Sequence, residues 1–183
     1  MKTIKKMIAT LMVMAVAMVA GCKKQNIGDG YMSVRMTDAP AAYTSVNVDI
    51  LAIEVHYANE QLGNGGWIAL STKAGVYDLL SLQNDVTATI TDDTKLPSGR
   101  ITQFHLLLGN NNSLVLSGDE VFVLKVPSGT TSGIKVDVDA NVTAGKHLSI
   151  VLDFNADKSV VAEGRTGQYL LKPVIQVKSV TSY

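Results

Sequence analysis

Apolar and polar side chains alternate with a period of two along most of this 183-residue chain. Successive side chains of a β-strand point to opposite faces, so this alternation predicts strands with one buried face. It is clear in the segments 32–36, 46–50, 53–57, 104–108, 122–126, 134–138, 148–154 and 169–177. The apolar spacing of an amphipathic helix is nearly absent between these segments, and we therefore predict an all-β fold.

The phase of the alternation changes once, inside the segment 46–57. The apolar positions are even-numbered from Val46 to Ile50 and odd-numbered from Ile53 to Tyr57. One extra residue in a strand, a β-bulge, shifts the phase by one position and bends the strand. We therefore predict a bulge near residues 51 and 52 that returns all the apolar side chains to one face.

Turn-forming residues separate the predicted strands. Proline, serine and glycine follow one another at 97–99 and at 127–129, where proline suits one turn position and glycine supplies a positive φ at another. About ten short strands separated by such turns are typical of a β-sandwich, with a closed barrel as the alternative. Charged residues between the apolar ones, as in 134–138, indicate half-solvated antiparallel strands. We expect an antiparallel β-sandwich domain over residues 31–180.

The N-terminal segment has the pattern of a bacterial lipoprotein signal. Three lysines at positions 2, 5 and 6 precede the uncharged stretch 7–20, and the small residues Ala20 and Gly21 precede Cys22. As a helix this stretch is about 21 Å long, shorter than a hydrocarbon core of about 30 Å, which suits a cleaved signal peptide. We predict a lipoprotein signal peptide over residues 1–21 and acyl chains (palmitate) on Cys22; the alternative is an ordinary signal peptide with an incidental cysteine.

The lipid on Cys22 is then the predicted membrane contact, because two or more acyl chains anchor a protein stably. In lipoproteins, an aspartate directly after the lipidated cysteine tends to retain the protein in the inner membrane. This chain has Lys23 at that position, and the absence of the aspartate favours the outer membrane. We predict a lipidated tether over residues 22–30 and a location in the cell envelope. The pattern leaves both the periplasmic and the surface face of the outer membrane open.

Charge and cysteine content narrow the class of partner. Removal of residues 1–21 removes three lysines and leaves 13 basic and 16 acidic side chains, a net charge of −3. This excludes the basic surface that nucleic-acid binding requires. Cys22 is the only cysteine, so its lipidation excludes a disulfide within the chain.

Several short motifs together resemble one protein family. Each motif alone is weak evidence, but their order along the chain is specific to one family. The motifs are Thr37-Asp38-Ala39-Pro40, Asp78-Leu79-Leu80-Ser81-Leu82, Leu96-Pro97-Ser98-Gly99, Val126-Pro127-Ser128-Gly129 before Gly133-Ile134-Lys135, Asp153-Phe154-Asn155-Ala156, and Tyr169-Leu170-Leu171-Lys172-Pro173-Val174-Ile175. This set resembles the prokaryotic family catalogued as domain of unknown function 4382, over about residues 30–180. The resemblance implies a secreted or lipid-anchored β-sandwich of prealbumin-like or immunoglobulin-like type. It implies no established activity and no catalytic residues.

Two acidic positions are candidate ligands. Asp38 lies where a predicted strand ends and a loop begins. One interpretation is that its carboxylate binds a metal or another ligand; the alternative is that it accepts backbone N–H bonds and shapes the turn. Asp153, Asn155 and Asp157 have the spaced oxygens of a Ca²⁺ loop. However, Lys158 and Gly164 occupy positions where an EF-hand needs Gly and Glu, so a polar turn is the alternative.

Trp67 is the candidate for a carbohydrate platform, since sugars stack their C–H faces on exposed aromatic rings. Asp92-Asp93 and Asn110-Asn111-Asn112 supply loop groups that bind hydroxyls. The alternative is that Trp67 fills the core of the sandwich.

No established catalytic pattern is present in the sequence. The three histidines are far apart and have no metal-ligand spacing, and there is neither His-Glu-x-x-His nor Gly-x-Ser-x-Gly. We therefore expect no enzyme activity, no metal and no cofactor, with Ca²⁺ as the exception to test. The sequence predicts a non-catalytic, lipid-anchored envelope protein that presents a β-sandwich interaction module to an envelope protein or a glycan. A carbohydrate-binding module on the envelope surface is the alternative.

Overall fold

The computed structural model describes residues 28–58, 66–127, 133–164 and 167–183. The predicted signal peptide, Cys22 and nearly all of the predicted tether lie outside these residues. No helix in the described ranges is both long and apolar enough to span a bilayer.

Fourteen strands, one short helix and one 3-10 turn make up the described part of the chain. The strands are β1 (Asp29–Thr37), β2 (Ser45–Tyr57), β3 (Trp67–Ala69), β4 (Gly75–Asp78), β5 (Ala88–Thr89), β6 (Thr94–Pro97), β7 (Gly99–Leu108), β8 (Ser113–Val115), β9 (Val121–Lys125), β10 (Ile134–Val142), β11 (His147–Phe154), β12 (Val160–Glu163), β13 (Gln168–Leu171) and β14 (Ile175–Ser182). The 3-10 turn spans Leu79–Leu82, and the helix α1 spans Ala156–Ser159. This confirms the all-β prediction.

The strands form two sheets. The five-stranded sheet has the order β14-β11-β1-β5, and β6 also pairs with β1. The nine-stranded sheet has the order β10-β7-β2-β8-β9-β13-β12, with β3 and β4 also paired to β2. The two sheets pack face to face as a sandwich, as the alternation of side chains predicts.

The core lies between the sheets and is built from the predicted apolar rows. Each row contributes side chains that are almost completely buried, among them Met32, Val34 and Met36 from β1, Leu148, Ile150, Leu152 and Phe154 from β11, and Phe104, Leu106 and Leu108 from β7. Each such side chain stabilises the fold by about 1.5–3 kcal/mol relative to an exposed one. The hydrophobic effect at these alternate positions therefore determines which face of each strand points inward.

The bulge predicted in the segment 46–57 is present. The pairing of β2 with β7 shifts register between Ile50 and Ala52, while Leu51 is exposed. The apolar side chains of the two predicted rows are all buried, namely Val46, Val48 and Ile50 before the shift and Ile53, Val55 and Tyr57 after it. One inserted residue thus keeps the apolar side chains of β2 on the core face, although their positions change from even to odd numbers.

Strand pairing departs from the antiparallel prediction in two places. β1 pairs with β11 in parallel, with Tyr31 beside His147 and Thr37 beside Asp153, and β9 pairs with β13 in parallel. Strands this far apart in sequence are not joined by a hairpin, so no local turn imposes the antiparallel direction. Both sheets are therefore mixed.

The apolar row 169–177 forms two strands instead of one. β13 ends at Leu171 and belongs to the nine-stranded sheet, whereas β14 begins at Ile175 in the other sheet. Pro173 lies between them; it lacks an N–H for a strand ladder and therefore suits the crossing point.

Candidate functional site: a polar cleft on the five-stranded sheet

A cleft of about 580 Å³ lies on the outer face of the five-stranded sheet. Its lining is polar and consists of Ser33, Arg35, Thr89, Thr91, Asp92, Asp93, His147, Ser149 and Tyr183. Sites for small ligands typically have volumes of about 300–1,000 Å³. The size of the cleft therefore suits a small molecule or a short segment of a polymer.

The floor of the cleft is low because its central side chains are small. Ser33 of β1 and Ser149 of β11 are partners in the parallel register. Their neighbours along the strands, such as Met32 and Val34, point into the core, so the serines point outward. Two adjacent serines leave a depression between taller neighbours and line it with hydroxyl groups.

One wall comes from β5 and the residues that follow it. Thr89 pairs with Arg35 of β1. Thr91 is fully buried, and its Oγ1 accepts the N–H of Val34 at 2.8 Å. This bond holds the segment against β1 and places the next residues, Asp92 and Asp93, at the rim of the cleft.

A second wall, which meets the first at Asp93, is built around His147 at the start of β11. Its Nε2 lies 2.7 Å from Oδ1 of Asp93, and its ring stacks on Tyr183 with ring centroids 5.0 Å apart. The N–H of His147 donates to the carbonyl of Tyr183, and the N–H of Tyr183 donates to the carbonyl of His147. These two bonds hold Tyr183 in place. Tyr183 is nevertheless 69% exposed, so much of its ring is open to a ligand.

Charges in the lining are of both signs. Asp92 pairs with Lys73 at 2.8 Å, Asp93 contacts His147, and Arg35 adds a guanidinium group to the exposed face of β1. The carboxylates of Asp92 and Asp93 are both more than half exposed. Together with the hydroxyl floor, these groups supply both donors and acceptors to a polar ligand.

Serine, histidine and aspartate meet in this cleft, and these residue types also form the triads of hydrolases. In a triad, one imidazole nitrogen contacts the carboxylate and the other contacts the serine hydroxyl. Here Nε2 of His147 contacts Asp93, while Nδ1 is buried and has no hydrogen-bond partner among the described residues. Nδ1 therefore does not make the second contact of a triad in this arrangement.

Asp38 lies outside the cleft, at the end of β1. It is buried, and its Oδ1 accepts the N–H of Ala156 at 2.8 Å. Its own N–H donates to the carbonyl of Leu82. Asp38 thus accepts a backbone N–H, as the turn interpretation expects, and this donor is 118 residues away in the sequence.

The three residues of the Ca²⁺-like pattern are not brought together. Asn155 Oδ1 caps α1 by accepting the N–H of Lys158 at 2.9 Å, and Asp157 is exposed on that helix. Asp153 Oδ2 accepts from Nε2 of Gln176 at 3.3 Å. Nowhere in the described ranges do three or more His, Cys, Asp or Glu side chains converge as a metal site.

Trp67 lies on the outer face of the nine-stranded sheet, half-buried. It pairs with His56 across β2 and β3, and its indole stacks on His105 with ring centroids 3.8 Å apart and an interplanar angle of 18°. The imidazole therefore covers much of one face of the indole. Trp67 neither lies between the sheets nor borders the cleft.

The asparagine loop at 110–112 is largely engaged within the fold. Asn112 is buried, and its Oδ1 accepts the N–H of Asp49 at 2.8 Å. The side-chain Nδ2 of Asn111 donates to Oδ2 of Asp49 at 3.0 Å. These side chains hold the turn against β2 and are not free to bind sugar hydroxyls.

Sequence analysis identified Asp92 and Asp93 as groups for a polar ligand but missed the rest of the cleft. Ser33, Arg35 and Ser149 occupy the polar positions of predicted strands, and that alternation was the available signal. Nothing local indicated that β1 and β11 are neighbours. The cleft therefore depends on the pairing of β1 with β11, two strands that are distant in the sequence.

Comparison with known proteins gives one match. The model of a family described as Domain of unknown function (DUF4382) matches residues 29–173. No curated protein matches the chain, and no solved structure matches it.

Proposed function

Because the chain belongs to the family described as domain of unknown function (DUF4382), a description that assigns no activity, we propose a function from the cleft itself. Membership of this family confirms the resemblance that the sequence motifs indicated. The proposed function is that of a non-catalytic, lipid-anchored cell-envelope protein whose β-sandwich is an interaction module. The cleft on the five-stranded sheet is its binding surface.

The observation that supports this proposal is the polar depression formed by Ser33 and Ser149 between two walls. The rigid pairing of β1 with β11 forms its floor, so a ligand would meet a preformed site and lose little affinity to ordering. The leader that ends at Cys22 supports the lipid anchor and the place in the envelope. The buried Nδ1 of His147 supports a binding role over a catalytic one.

A photo-reactive amino acid in place of Ser149 tests the binding surface in cells. We expect irradiation to link the protein to a reproducible envelope component through position 149. A matched probe in place of Asp137, which is exposed on the nine-stranded sheet, is the control and should give no such product. Equal products from both positions, or none from position 149, would contradict the proposal.

Carbohydrate binding is the second candidate function, and the exposed ring of Tyr183 favours it. A sugar stacks on an open aromatic face while carboxylates and hydroxyls bind its own hydroxyl groups. The cleft places Tyr183 next to Asp93 and the two serines of the floor. Trp67, which sequence analysis identified as the platform, has no part in this arrangement.

A glycan array with three forms of the full chain tests this candidate. The wild type should bind a defined group of glycans, and Tyr183→Ala should lose about tenfold in affinity, which corresponds to about 1.4 kcal/mol. Tyr31→Ala is the matched control, because Tyr31 is also exposed on this sheet but does not line the cleft. An array without hits would exclude the carbohydrate and leave a protein partner as the ligand.

A further inference from the structure

The charged side chains that line the cleft differ in whether the protein supplies them with a partner. Asp92 pairs with Lys73 at 2.8 Å. Asp93 lies 2.7 Å from His147, so both carboxylates of the lining are already engaged. The guanidinium group of Arg35, in contrast, forms neither an ion pair nor a hydrogen bond with the parts of the chain that the structure describes. The lining therefore presents one positive charge that is open to a ligand.

The strand pairing fixes the position of Arg35. β1 is an inner strand, and Arg35 lies between Thr89 of β5 and Val151 of β11. Its neighbours along the strand, Val34 and Met36, are fully buried, so Arg35 points to the outer face of the sheet, where it is exposed. The residues on both sides of it are uncharged. Neither neighbouring strand thus places a carboxylate directly beside the guanidinium group.

Two other carboxylates lie toward this end of the sheet, and both have contacts of their own. Asp153, near the end of β11, accepts a hydrogen bond through Oδ2 from Gln176, and its Oδ1 is buried. Asp85 pairs with Lys178 at 2.6 Å. Neither carboxylate forms an ion pair with Arg35. The positive charge of Arg35 is therefore not neutralised from the adjoining segments either.

Hydroxyl groups lie next to Arg35 in the lining. Ser33 is two residues away on the same face of β1, and Ser149 is its register partner on β11. Thr89 is the register partner of Arg35 itself. The hydroxyls of these three residues form no hydrogen bond within the described ranges. Each hydroxyl donates one O–H bond and the guanidinium group has five N–H donors, so this end of the cleft suits an oxygen-rich anion.

The other end of the cleft has an open aromatic ring. Tyr31, which pairs with His147, is four residues from Arg35 on β1, and this corresponds to about 13 Å along the strand. Tyr183 stacks on His147 at that end and is largely exposed. A ligand that contacts both ends must therefore carry a negative group, expose C–H faces, and be longer than a single sugar ring.

We propose that Arg35 binds the carboxylate of an acidic sugar in the cleft. A guanidinium group forms two parallel N–H···O bonds with a carboxylate, and such charge-assisted bonds are about twice as strong as neutral ones. Ser33 and Thr89 donate to the same carboxylate or to neighbouring sugar hydroxyls, while Tyr183 packs against a further sugar unit. This ligand class, a uronic acid oligomer, depends on the proposed function, in which the cleft is the binding surface.

The lining favours a carboxylate on a sugar over other anions. A phosphate monoester carries close to two negative charges, whereas the lining has one unpaired cation and two aspartates at its rim. A single carboxylate matches the single charge of Arg35. An acidic peptide also carries carboxylates, but it lacks the successive C–H ring faces that suit the open side of Tyr183.

A glycan array that carries short uronic acid oligomers of several linkages beside their methyl esters tests the role of Arg35 in the full chain. The ester keeps the sugar rings and removes the negative charge. We expect the wild type to bind at least one acid about tenfold or more tightly than its ester. Arg35→Gln should bind that acid as weakly as the ester, and Arg35→Lys should keep part of the preference, because an ammonium group lacks the planar fork.

Arg100→Gln is the matched control, since Arg100 is also an exposed arginine but lies on the nine-stranded sheet, paired with Asp139 at 2.8 Å. It should keep the full preference for the acid. Arg35→Gln removes a side chain without a protein partner, so its thermal unfolding should match that of the wild type. A clear loss of stability in Arg35→Gln would show that Arg35 has a structural role and would count against the proposal.

Three binding results would overturn the assignment of Arg35. They are equal binding of acid and ester by the wild type, an unchanged preference in Arg35→Gln, and tighter binding of an acidic peptide than of any acidic sugar. The photo-reactive probe at position 149 separates these failures from failure of the proposed function. A product at position 149 without a preference for acids refutes the acidic sugar and keeps the cleft as the binding surface, whereas no product refutes both.

Discussion

The cleft and the buried end of β1 both have aspartates of the five-stranded sheet and its loops, but their surroundings differ. Asp92 and Asp93 are more than half exposed and contact Lys73 and His147, whereas Asp38 is 3% exposed. Water screens the first pair, and its carboxylates remain available to a large polar ligand. Burial leaves Asp38 with fixed backbone contacts. The same residue type is therefore an accessible polar group in one region and a structural group in the other.

Loss of the Asp38 carboxylate should have the largest effect on stability. Asp38→Ala leaves the N–H of Ala156 buried without an acceptor, which costs about 2–3 kcal/mol of the free energy of unfolding. Urea denaturation measures this cost. Asp38→Asn, which keeps an acceptor, should retain most of the stability; an unchanged midpoint in Asp38→Ala would contradict the role of this bond.

The raised pKa of Asp38 predicts a pH dependence of stability. Its folded pKa of about 6 lies above the value of 3.8 expected for the unfolded chain, so the folded state binds the proton more tightly. The stability from this group is complete below about pH 3.8 and is lost as the pH rises through about 6. The difference in unfolding free energy between wild type and Asp38→Asn should change by about 2–3 kcal/mol across this window, since each pKa unit corresponds to about 1.4 kcal/mol. A constant difference from pH 4 to pH 7 would show that Asp38 titrates normally.

Filling the cleft should affect binding without affecting folding. Ser149→Phe places a ring on the floor, so the photo-crosslinked or glycan ligand should bind at least tenfold more weakly. Because position 149 points outward, the free energy of unfolding should change by less than about 0.5 kcal/mol. Ligand binding that is unchanged in this folded variant would place the binding surface elsewhere.

Removal of an exposed carboxylate should have the smallest effect on stability. Asp92→Ala breaks the contact with Lys73, and an exposed ion pair contributes at most about 1 kcal/mol and often nothing measurable. The change should shrink further in high salt, which screens exposed charges. A loss as large as that of Asp38→Ala would remove the contrast between the two regions.

Local patterns in the sequence predicted much of the fold. The rows of alternate apolar residues became the buried faces of β1, β2, β7 and β11, and the phase change in β2 became its bulge. These features are predictable because the direction of a side chain repeats every two residues, whatever the strand pairs with. The segment 169–177 was the exception, because the chain crosses between the sheets near Pro173 and the segment forms two strands, β13 and β14.

The cleft and the contacts of Asp38 were not predictable in the same way. The cleft depends on Ser33 lying beside Ser149, and Asp38 depends on the N–H of Ala156; each pair is more than 100 positions apart. Alternation indicates that Ser33 and Ser149 face outward but does not indicate which strands are neighbours. Spacing alone also did not indicate that Asn155 caps α1 while Asp153 accepts a hydrogen bond from Gln176.

The sequence by itself determined the all-β class, the inward face of each strand and the family, because side-chain alternation and short motifs are local properties of the chain. It also carries the N-terminal pattern from which we predict a signal peptide and lipidation of Cys22. Only the tertiary structure decided that β1 pairs in parallel with β11, and this pairing forms the floor of the cleft. Pairing between distant strands is decided by the packing of the whole core, which no local pattern encodes.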